Sequence, residues 1–210
     1  MQGVVLKRLG HNVRILEKDP SSIRTSEAAG IRAGPQATEY FQKHDLTEKP
    51  WSISCPGLQF IRSDSSIQRL IEFPMVMTGW STLYYRLRAN FDGLRSDYCP
   101  ETPSNLDGDG RAVYDSGLQV TDIKMVDGKI TLDFENVIDG SKGEVSPDLV
   151  IAADGSRSEL RERICNIKRP YGGYVAWRGS VVESEVSEDT RRKCGDRFTV
   201  FKMKSNYILV

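Results

Sequence analysis

The sequence predicts a mixed α/β fold, with a parallel sheet and its helices, a small antiparallel sheet and a β-rich end. Three observations indicate this fold. A helical segment and a glycine turn lead into a short apolar strand at residues 13–17. Residues 130–134 alternate apolar and polar side chains, which is typical of an antiparallel strand with one wet face. Residues 149–153 are apolar without interruption, which is typical of a strand buried on both faces of a parallel sheet.

Length and composition restrict the class of protein. The 210 residues, 39% of them hydrophobic, allow one large domain or one domain plus part of another, at roughly 150 residues per domain. Equal numbers of basic and acidic residues, 29 each, argue against a nucleic-acid partner. No apolar run approaches the roughly 20 residues of a membrane span. The four scattered cysteines and two histidines predict no metal site, and they favour reduced thiols in the cytoplasm.

The first predicted elements are a helix over residues 1–9 and the strand over residues 13–17. The apolar residues of the helix fall on one face, and Gly10 is the kind of residue that ends a helix. The strand ends in an acid, Glu17. Pro35 then starts a helix through residue 44, because its missing N–H costs nothing in the first turn.

A hairpin and a second clear helix are predicted next. Residues 58–62 and 70–73 form the two strands of the hairpin around a polar turn. Ser81 or Thr82 caps the helix, whose apolar residues keep helical spacing and indicate core packing. We expect Arg86 and Arg88 on the solvated face of this helix. The segment that follows, up to residue 110, is rich in Pro, Gly, Asp and Ser and is predicted to be a loop.

Residues 111–147 are predicted to form the small antiparallel sheet. Asp127 and Gly128 mark a hairpin turn in it, because both residues tolerate positive φ. Residues 148–155 are the predicted buried parallel strand. After this strand, Ser156 or Ser158 caps a helix that runs through Cys165. The chain then becomes β-rich again, with predicted strands at residues 174–178, 197–202 and 207–210.

Two acidic residues at strand ends are the candidate functional groups. An acid that ends the strand after a helix and a glycine turn is typical of dinucleotide-binding βαβ units, in which it accepts hydrogen bonds from the adenosine ribose. Glu17 fits that role, although many α/β proteins also carry an acid at a strand end. Asp154, before Gly155, has an equally simple structural interpretation as part of a strand-to-helix turn with an N-cap.

Five segments of the sequence together carry a resemblance to a known family. They are LGHNVRILE at residues 9–17, AGI at 29–31, WSTLYYRLR at 80–88, DLVIAADGSRS at 148–158 and YVAWRG at 174–179. With them the chain resembles the para-hydroxybenzoate-hydroxylase-like FAD-dependent monooxygenases, the single-component aromatic-ring hydroxylases. The last segment looks most like the branch that includes dihydroxypyridine hydroxylases. The resemblance implies an incomplete Rossmann-like FAD-binding domain over residues 1–168, lacking its first strand and Gly-rich loop. Residues 169–210 would begin the β-rich substrate domain.

The resemblance also implies which residues bind the cofactor. They are Glu17, Lys18, Gly30, Ile31, Trp80, Val120, Asp154 and Gly155. Glu17 would bind the adenosine ribose, and Val120 would offer backbone groups to the adenine. Gly30 and Ile31 would lie where the chain passes close to the flavin ring. Trp80 stands where relatives often place Arg or Gln.

The resemblance implies an enzyme that uses FAD, with NADPH or NADH as reductant, to hydroxylate a small aromatic or heteroaromatic substrate with O₂. In such enzymes the flavin performs the redox chemistry, while the protein supplies orientation and excludes water. The sequence therefore names no catalytic residue, and Asp154 is expected to hold its loop rather than touch substrate.

Two other functions stay open from the residues alone. One is another FAD- or NAD-dependent oxidoreductase that shares the βαβ unit. The other is a non-catalytic α/β module that keeps the flavoprotein scaffold for partner binding. Because the Gly-rich loop and a later Gly-Asp motif lie outside the 210 residues, we expect this chain to be a fragment with weak or no activity.

Overall fold

The structure is a computed structural model that describes residues 1–21, 24, 30–155, 158–165, 170–177, 179–203 and 206–210, with residues 163 and 164 as backbone alone. It has two compact units, each assembled from separate stretches of sequence. Unit 1 consists of Met1–Val5, Thr25–Leu106 and Trp177–Val210; unit 2 consists of Leu6–Arg24 and Asp107–Ala176. The expected division between residues 168 and 169 stays a prediction.

Unit 2 contains a parallel pair of strands. The helix α1 (Gln2–Arg8) ends before Gly10, whose φ of 86° confirms the predicted helix stop. The strand β1 (Val13–Glu17) follows, as predicted, and pairs in parallel with β5 (Ala112–Ser116). The prediction of a wholly antiparallel sheet over residues 111–147 was therefore wrong for β5. That strand follows a long irregular connection, which lets it align with β1 in the same direction.

The rest of the predicted antiparallel sheet is confirmed in unit 2. Three strands lie in sequence order in one sheet: β6 (Leu118–Val126), β7 (Lys129–Asn136) and β8 (Lys142–Val145). The turn between β6 and β7 has φ of 50° at Asp127 and 73° at Gly128. Positive φ at both central residues is the geometry that matches the twist of a two-residue hairpin.

The prediction of a buried parallel strand over residues 148–155 was wrong. Residues 149–154 have no regular secondary structure, and Leu149 and Ile151 are exposed. A strand buried on both faces needs hydrogen-bonding partners on both sides. Among the described residues β1 and β5 pair with each other and with no third strand, so the apolar run has no sheet to enter.

The helix after this run, α4 (Glu159–Cys165), confirms the prediction of a Ser cap, because Ser158 Oγ accepts the N–H of Arg161 at 3.0 Å. The alternative cap, Ser156, lies outside the described residues. The strand predicted at residues 174–178 is absent over residues 174–177, where Trp177 is 92% exposed; Arg178 lies outside the described residues.

Unit 1 is built on a five-stranded sheet with the order β10-β9-β3-β4-β2. Its strands are β2 (Gly30–Ala33), β3 (Ile53–Ile61), β4 (Ile67–Gly79), β9 (Phe198–Lys202) and β10 (Tyr207–Leu209). Its helical elements are α2 (Pro35–His44), α3 (Trp80–Asp92), α5 (Glu188–Cys194) and a 3₁₀ turn at Glu183–Glu185. The predicted helix from Pro35, the hairpin and the two C-terminal strands are confirmed, although both hairpin strands are longer than predicted.

The start of α3 differs from the prediction. Gly79, the last residue of β4, is the N-cap, and no side chain caps the helix. Ser81 is buried in the first turn, so neither it nor Thr82 stands at the cap position. The helix therefore begins where the β4 ladder ends, and its first residue is Trp80.

Arg86 was predicted on a solvated face and is instead buried. Its side chain is 3% exposed and forms an ion pair with Asp45, whose side chain is 7% exposed. The guanidinium also donates to the carbonyl of Thr47 at 3.1 Å and to that of Lys49. Asn90 completes the cluster by donating to Asp45 Oδ1 at 2.8 Å. A buried cation needs such partners, and they come from a loop that helical spacing alone does not reveal.

Candidate functional site

Glu17 lies at the carboxyl end of β1, opposite Ser116 of β5. Its Oε1 accepts the backbone N–H of Asp19 at 2.9 Å and forms an ion pair with Arg24 at 3.3 Å. Arg24 also lies 3.4 Å from Asp19, so one guanidinium spans two carboxylates at this strand end. These two contacts of Glu17 both use Oε1, and a carboxylate has two oxygens that accept hydrogen bonds.

Val120 is brought to the same part of unit 2 by the chain that leaves β5. Ser116, the partner of Glu17, is followed by Gly117 and then by β6. Gly117 has a φ of 81°, and a Cβ placed on it would lie 3.5 Å from Pro20, which shows how closely this turn packs against the segment after Glu17. Val120 is paired with Phe134 and stands beside a register shift in the β6–β7 ladder, where a bulge leaves one residue outside the regular pairing.

Lys18 is exposed immediately after Glu17. Asp19 next to it has a pKa below its usual range, first because the backbone N–H of Ser21 donates to its carboxylate, with help from the Ser21 hydroxyl. The end of β1 therefore carries two negative charges, at Glu17 and Asp19, with the cations of Lys18 and Arg24 beside them. This mixture suits a ligand that has both hydroxyl and anionic groups.

Asp154 and Gly155 belong to a second region of unit 2, a pocket of about 260 Å³. The pocket is lined by Ala152, Asp154, Gly155, Ser158, Arg161 and Cys165. Burial acts to raise the pKa of the Asp154 carboxyl, but the hydrogen bond from the Ser158 side chain, backbone hydrogen bonds and the charge of Arg161 together hold this pKa below the usual value. Arg161 donates to the carbonyl of Gly155 at 3.3 Å. These bonds tie the Asp154 loop to the start of α4.

Replacing Ser158 with Ala is expected to raise the pKa of Asp154 toward its ordinary value, because the hydroxyl that stabilises the carboxylate is lost. The stability that Asp154 adds to the folded loop is present above the ordinary carboxyl pKa and is lost as pH falls through the lowered one. Loss of the cap should also cost about 1 kcal/mol of stability. Carboxyl ¹³C NMR titration measures the pKa. Ser187→Ala removes the cap of α5 and should leave the pKa unchanged; an unshifted Asp154 in Ser158→Ala contradicts the assignment.

The other three predicted residues lie together in unit 1. In the β2–β4 ladder Gly30 is opposite Gly79 and Ile31 is opposite Thr78. Trp80 directly follows Gly79, so the start of α3 lies beside the first residues of β2. A Cβ on Gly30 would meet nothing within 4 Å, which leaves room for a group to approach the backbone there. Trp80 offers one N–H donor and a ring, so it cannot provide the charged contact of Arg.

The structure thus groups the predicted residues into three places. Glu17 and Lys18 lie at the end of β1 with Val120 on β6, the strand that begins after Gly117; Asp154 and Gly155 line the pocket, and the remaining three meet at the β2–β4 ladder. Sequence reasoning missed Arg24, which pairs with Glu17 across seven positions. Its only sequence signal is an isolated cation in the polar segment after the strand.

The described residues offer neither a metal site nor a membrane-spanning helix. No group of three or more His, Cys, Asp or Glu side chains there has an arrangement that could hold a metal ion. None of the helices described is both long and apolar enough to cross a membrane. All four cysteines are free thiols, and Cys165 is the exposed one.

Comparisons with known proteins find similarity to this chain in sequence and in fold. A family model described as FAD binding domain-like matches residues 171–210. The 2,6-dihydroxypyridine 3-monooxygenase of Paenarthrobacter nicotinovorans is 37% identical over 71 residues, which are 34% of this chain and 17% of that protein.

Solved structures share the fold at low sequence identity. The 2,6-dihydroxypyridine-3-hydroxylase from Arthrobacter nicotinovorans matches 99% of this chain and 47% of its own, with a TM-score of 0.74 and 19% identity. The p-nitrophenol 4-monooxygenase from Pseudomonas putida matches 78% of this chain and 40% of its own, with a TM-score of 0.55 and 16% identity. This chain therefore spans less than half the length of these proteins.

The chain has a mixed α/β fold with an acid, Glu17, at the end of a strand in a parallel pair. The chain shares its fold with these two solved hydroxylases, and segments of it match the FAD binding domain-like model and the sequence of the dihydroxypyridine monooxygenase.

Proposed function

We propose that this chain is part of an FAD-dependent monooxygenase that uses NADPH or NADH to hydroxylate a small aromatic or heteroaromatic substrate. The observation that carries the proposal is Glu17 at the carboxyl end of a strand in a parallel pair, after a helix and a glycine turn. In dinucleotide-binding folds this position holds the acid that accepts hydrogen bonds from the ribose. The likeness of the fold to aromatic hydroxylases supports the choice of FAD.

The residues at this strand end fit the adenosine part of FAD. Ribose hydroxyls need an acceptor, and the Glu17 carboxylate has a second oxygen beside the Oε1 that meets Asp19 and Arg24. The adenine needs hydrogen bonds from backbone groups, and Val120 stands beside the bulge in β6. Both Lys18 and Arg24 bring positive charge to the same place, which favours the neighbouring phosphates.

The overall reaction of such an enzyme balances as follows. The substrate, O₂, NAD(P)H and one proton give the hydroxylated substrate, water and NAD(P)⁺. When bound, FAD supplies the redox chemistry that connects the reductant to O₂. The residues of this chain would hold the adenosine end through Glu17, fix the loop at Asp154 and present Gly30 and Ile31 to the ring.

The first test separates the adenosine contacts from the flavin ring. We expect the purified protein to bind FAD more tightly than FMN, which lacks the adenosine, as measured by isothermal titration calorimetry. Glu17→Gln should weaken FAD binding by roughly 10- to 100-fold, because a hydrogen bond to a charged group contributes about 1.5–3 kcal/mol. The same variant should bind FMN as the unmodified protein does.

Glu144→Gln is the matched control, because Glu144 lies on β8, away from β1 in the ladder order of unit 2. It should leave the affinity for FAD unchanged. Equal affinity for FAD and FMN, or an unchanged affinity in Glu17→Gln, contradicts the ribose assignment.

The second test addresses the reaction. NADPH and NADH oxidation are followed with 2,6-dihydroxypyridine or another small hydroxylated aromatic present, under ¹⁸O₂. A monooxygenase should incorporate one labelled oxygen atom into the product. Flavin binding with reductant oxidation but no labelled product would favour another FAD-dependent oxidoreductase. Flavin binding without turnover is the result expected of a fragment with weak or no activity, whereas absence of flavin binding would favour a non-catalytic module on the same scaffold.

A further inference from the structure

Four aromatic side chains of unit 1 form a continuous series, which we call the aromatic series: Trp80, Tyr84, Tyr85 and Tyr98. Trp80 stacks on Tyr84 with ring centroids 4.9 Å apart and planes 8° apart. Tyr84 meets Tyr85 edge to face at 5.1 Å, and Tyr85 stacks on Tyr98 at 5.3 Å and 6°. All three separations lie in the about 4.5–7 Å range of direct aromatic contact.

The series runs from the start of α3 to the surface. Trp80 is half-buried beside the β2–β4 ladder, and Tyr85 is buried. Tyr98 is 46% exposed, so its phenol meets solvent. Every ring in the series is an indole or a phenol, and these are the aromatic side chains that lose an electron most readily.

A second aromatic group in the same unit shows that packing alone does not require oxidisable rings. Trp51 stacks on Phe41 at 4.5 Å, and Phe41 meets Tyr40 edge to face at 5.3 Å. The distances match those of the aromatic series, but the middle ring is a phenylalanine, which is far harder to oxidise. If Trp51 lost an electron, its neighbour in this group, Phe41, could not readily replace that electron.

We propose that the aromatic series is a one-electron relay that moves oxidising equivalents from Trp80 to the protein surface. A radical oxidant, such as one formed from peroxide, takes one electron from the Trp80 indole and is itself reduced. Tyr84, Tyr85 and Tyr98 then pass one electron in turn toward Trp80, and the intermediate rings are restored. Tyr98 ends as a neutral phenoxyl radical after its proton leaves to water. A soluble thiol returns one electron and one proton to it and becomes a thiyl radical.

Polar contacts along α3 fix the position of the Tyr84 ring. Arg88 donates to the Tyr84 hydroxyl at 2.8 Å, and its guanidinium lies 5.8 Å from the centre of that ring. Asp92 fixes Arg88 through bonds of 2.8 and 2.9 Å. A ring stacked on Trp80 and hydrogen-bonded at its hydroxyl keeps constant contact with its neighbours, and electron transfer between side chains depends steeply on that contact.

The relay is tested with the azide radical, generated by pulse radiolysis, in the Trp177→Phe protein. This background removes the tryptophan that is 92% exposed and would react first. We expect the indolyl radical absorbance to decay as tyrosyl radical absorbance rises. Tyr84→Phe keeps the ring but removes the oxidisable link, so it should slow the decay severalfold and increase stable oxidation products at Trp80, measured by peptide mass spectrometry.

Tyr98→Phe tests the exposed end of the series, where the substitution leaves the core intact. It should lower the tyrosyl yield and again raise the damage at Trp80. Tyr40→Phe is the matched control and should change neither quantity, and oxidation of Trp51 should be the same in every variant. Unchanged decay and unchanged Trp80 oxidation in both Tyr84→Phe and Tyr98→Phe, with native circular dichroism, overturn the proposal. The relay needs no bound flavin, so this result is independent of the proposed monooxygenase function.

Discussion

Replacing Arg86 with methionine is expected to lower the free energy of unfolding of unit 1 by about 3–5 kcal/mol, because removal of one partner leaves a buried charge uncompensated. The variant leaves the Asp45 carboxylate, whose side chain is 7% exposed, without its cation. It also removes the donor to the carbonyls of Thr47 and Lys49. Urea unfolding followed by tryptophan fluorescence measures the change, since Trp51, Trp80 and Trp177 all belong to unit 1.

The size of the effect distinguishes a buried ion pair from a surface one. Arg192→Met removes the partner of Asp189 in an exposed pair, with side chains 77% and 56% exposed, and should cause no measurable change. The double variant Arg86→Met, Asp45→Asn removes both charges while keeping an acceptor for the N–H of Thr47, so it should lose less stability than the sum of the single variants. Equal effects of Arg86→Met and Arg192→Met would contradict a buried pair.

Ile61→Ala is expected to lower the free energy of unfolding of unit 1 by about 2–5 kcal/mol, because it creates a cavity in the core. Ile61 is 1% exposed on β3, between Ile67 of β4 and Phe201 of β9. Two neighbouring strands hold the backbone on either side, so the site has little freedom to collapse around the missing atoms. The same fluorescence-detected urea titration measures the effect.

Ile67→Ala is the matched control for this prediction. Ile67 is the cross-strand partner of Ile61 and has the same side chain, but it is 58% exposed. Its truncation should therefore change the stability only slightly. If the two variants were equally destabilised, the contribution of Ile61 would come from strand pairing rather than from burial in the core.

Elements with strong local signals were predictable from the sequence. Pro35 marks the start of α2, and Asp127 and Gly128 mark the turn between β6 and β7. Each signal acts within a few residues, through a fixed φ or a tolerated positive φ. Local reasoning therefore found most helices and hairpins of the described chain.

Features set by distant residues were not predictable in the same way. The partner of Arg86 is Asp45, 41 positions away. The helical pattern, which does not include Asp45, predicted that Arg86 would face solvent. Residues 149–153 have the composition of a buried strand, yet a strand forms only where neighbours exist to pair with it. In the candidate site, Glu17 was predicted from the strand that ends there, whereas Arg24 was missed because it lies beyond that strand, where no regular pattern fixes which side chain meets Glu17.

The central strand of unit 1 has a consequence for how the protein is made. β3 pairs with β4, its neighbour in sequence, and with β9, and Gln59 of β3 bonds to Thr199 of β9, 140 positions later. At about 5–20 residues per second, a ribosome needs roughly 7–28 s to synthesise that interval. Until β9 is synthesised, one edge of β3 on the nascent chain therefore lacks its native partner. An unpaired strand edge can pair with other chains. Early binding by a chaperone to the β3–β4 hairpin would protect this edge until β9 emerges.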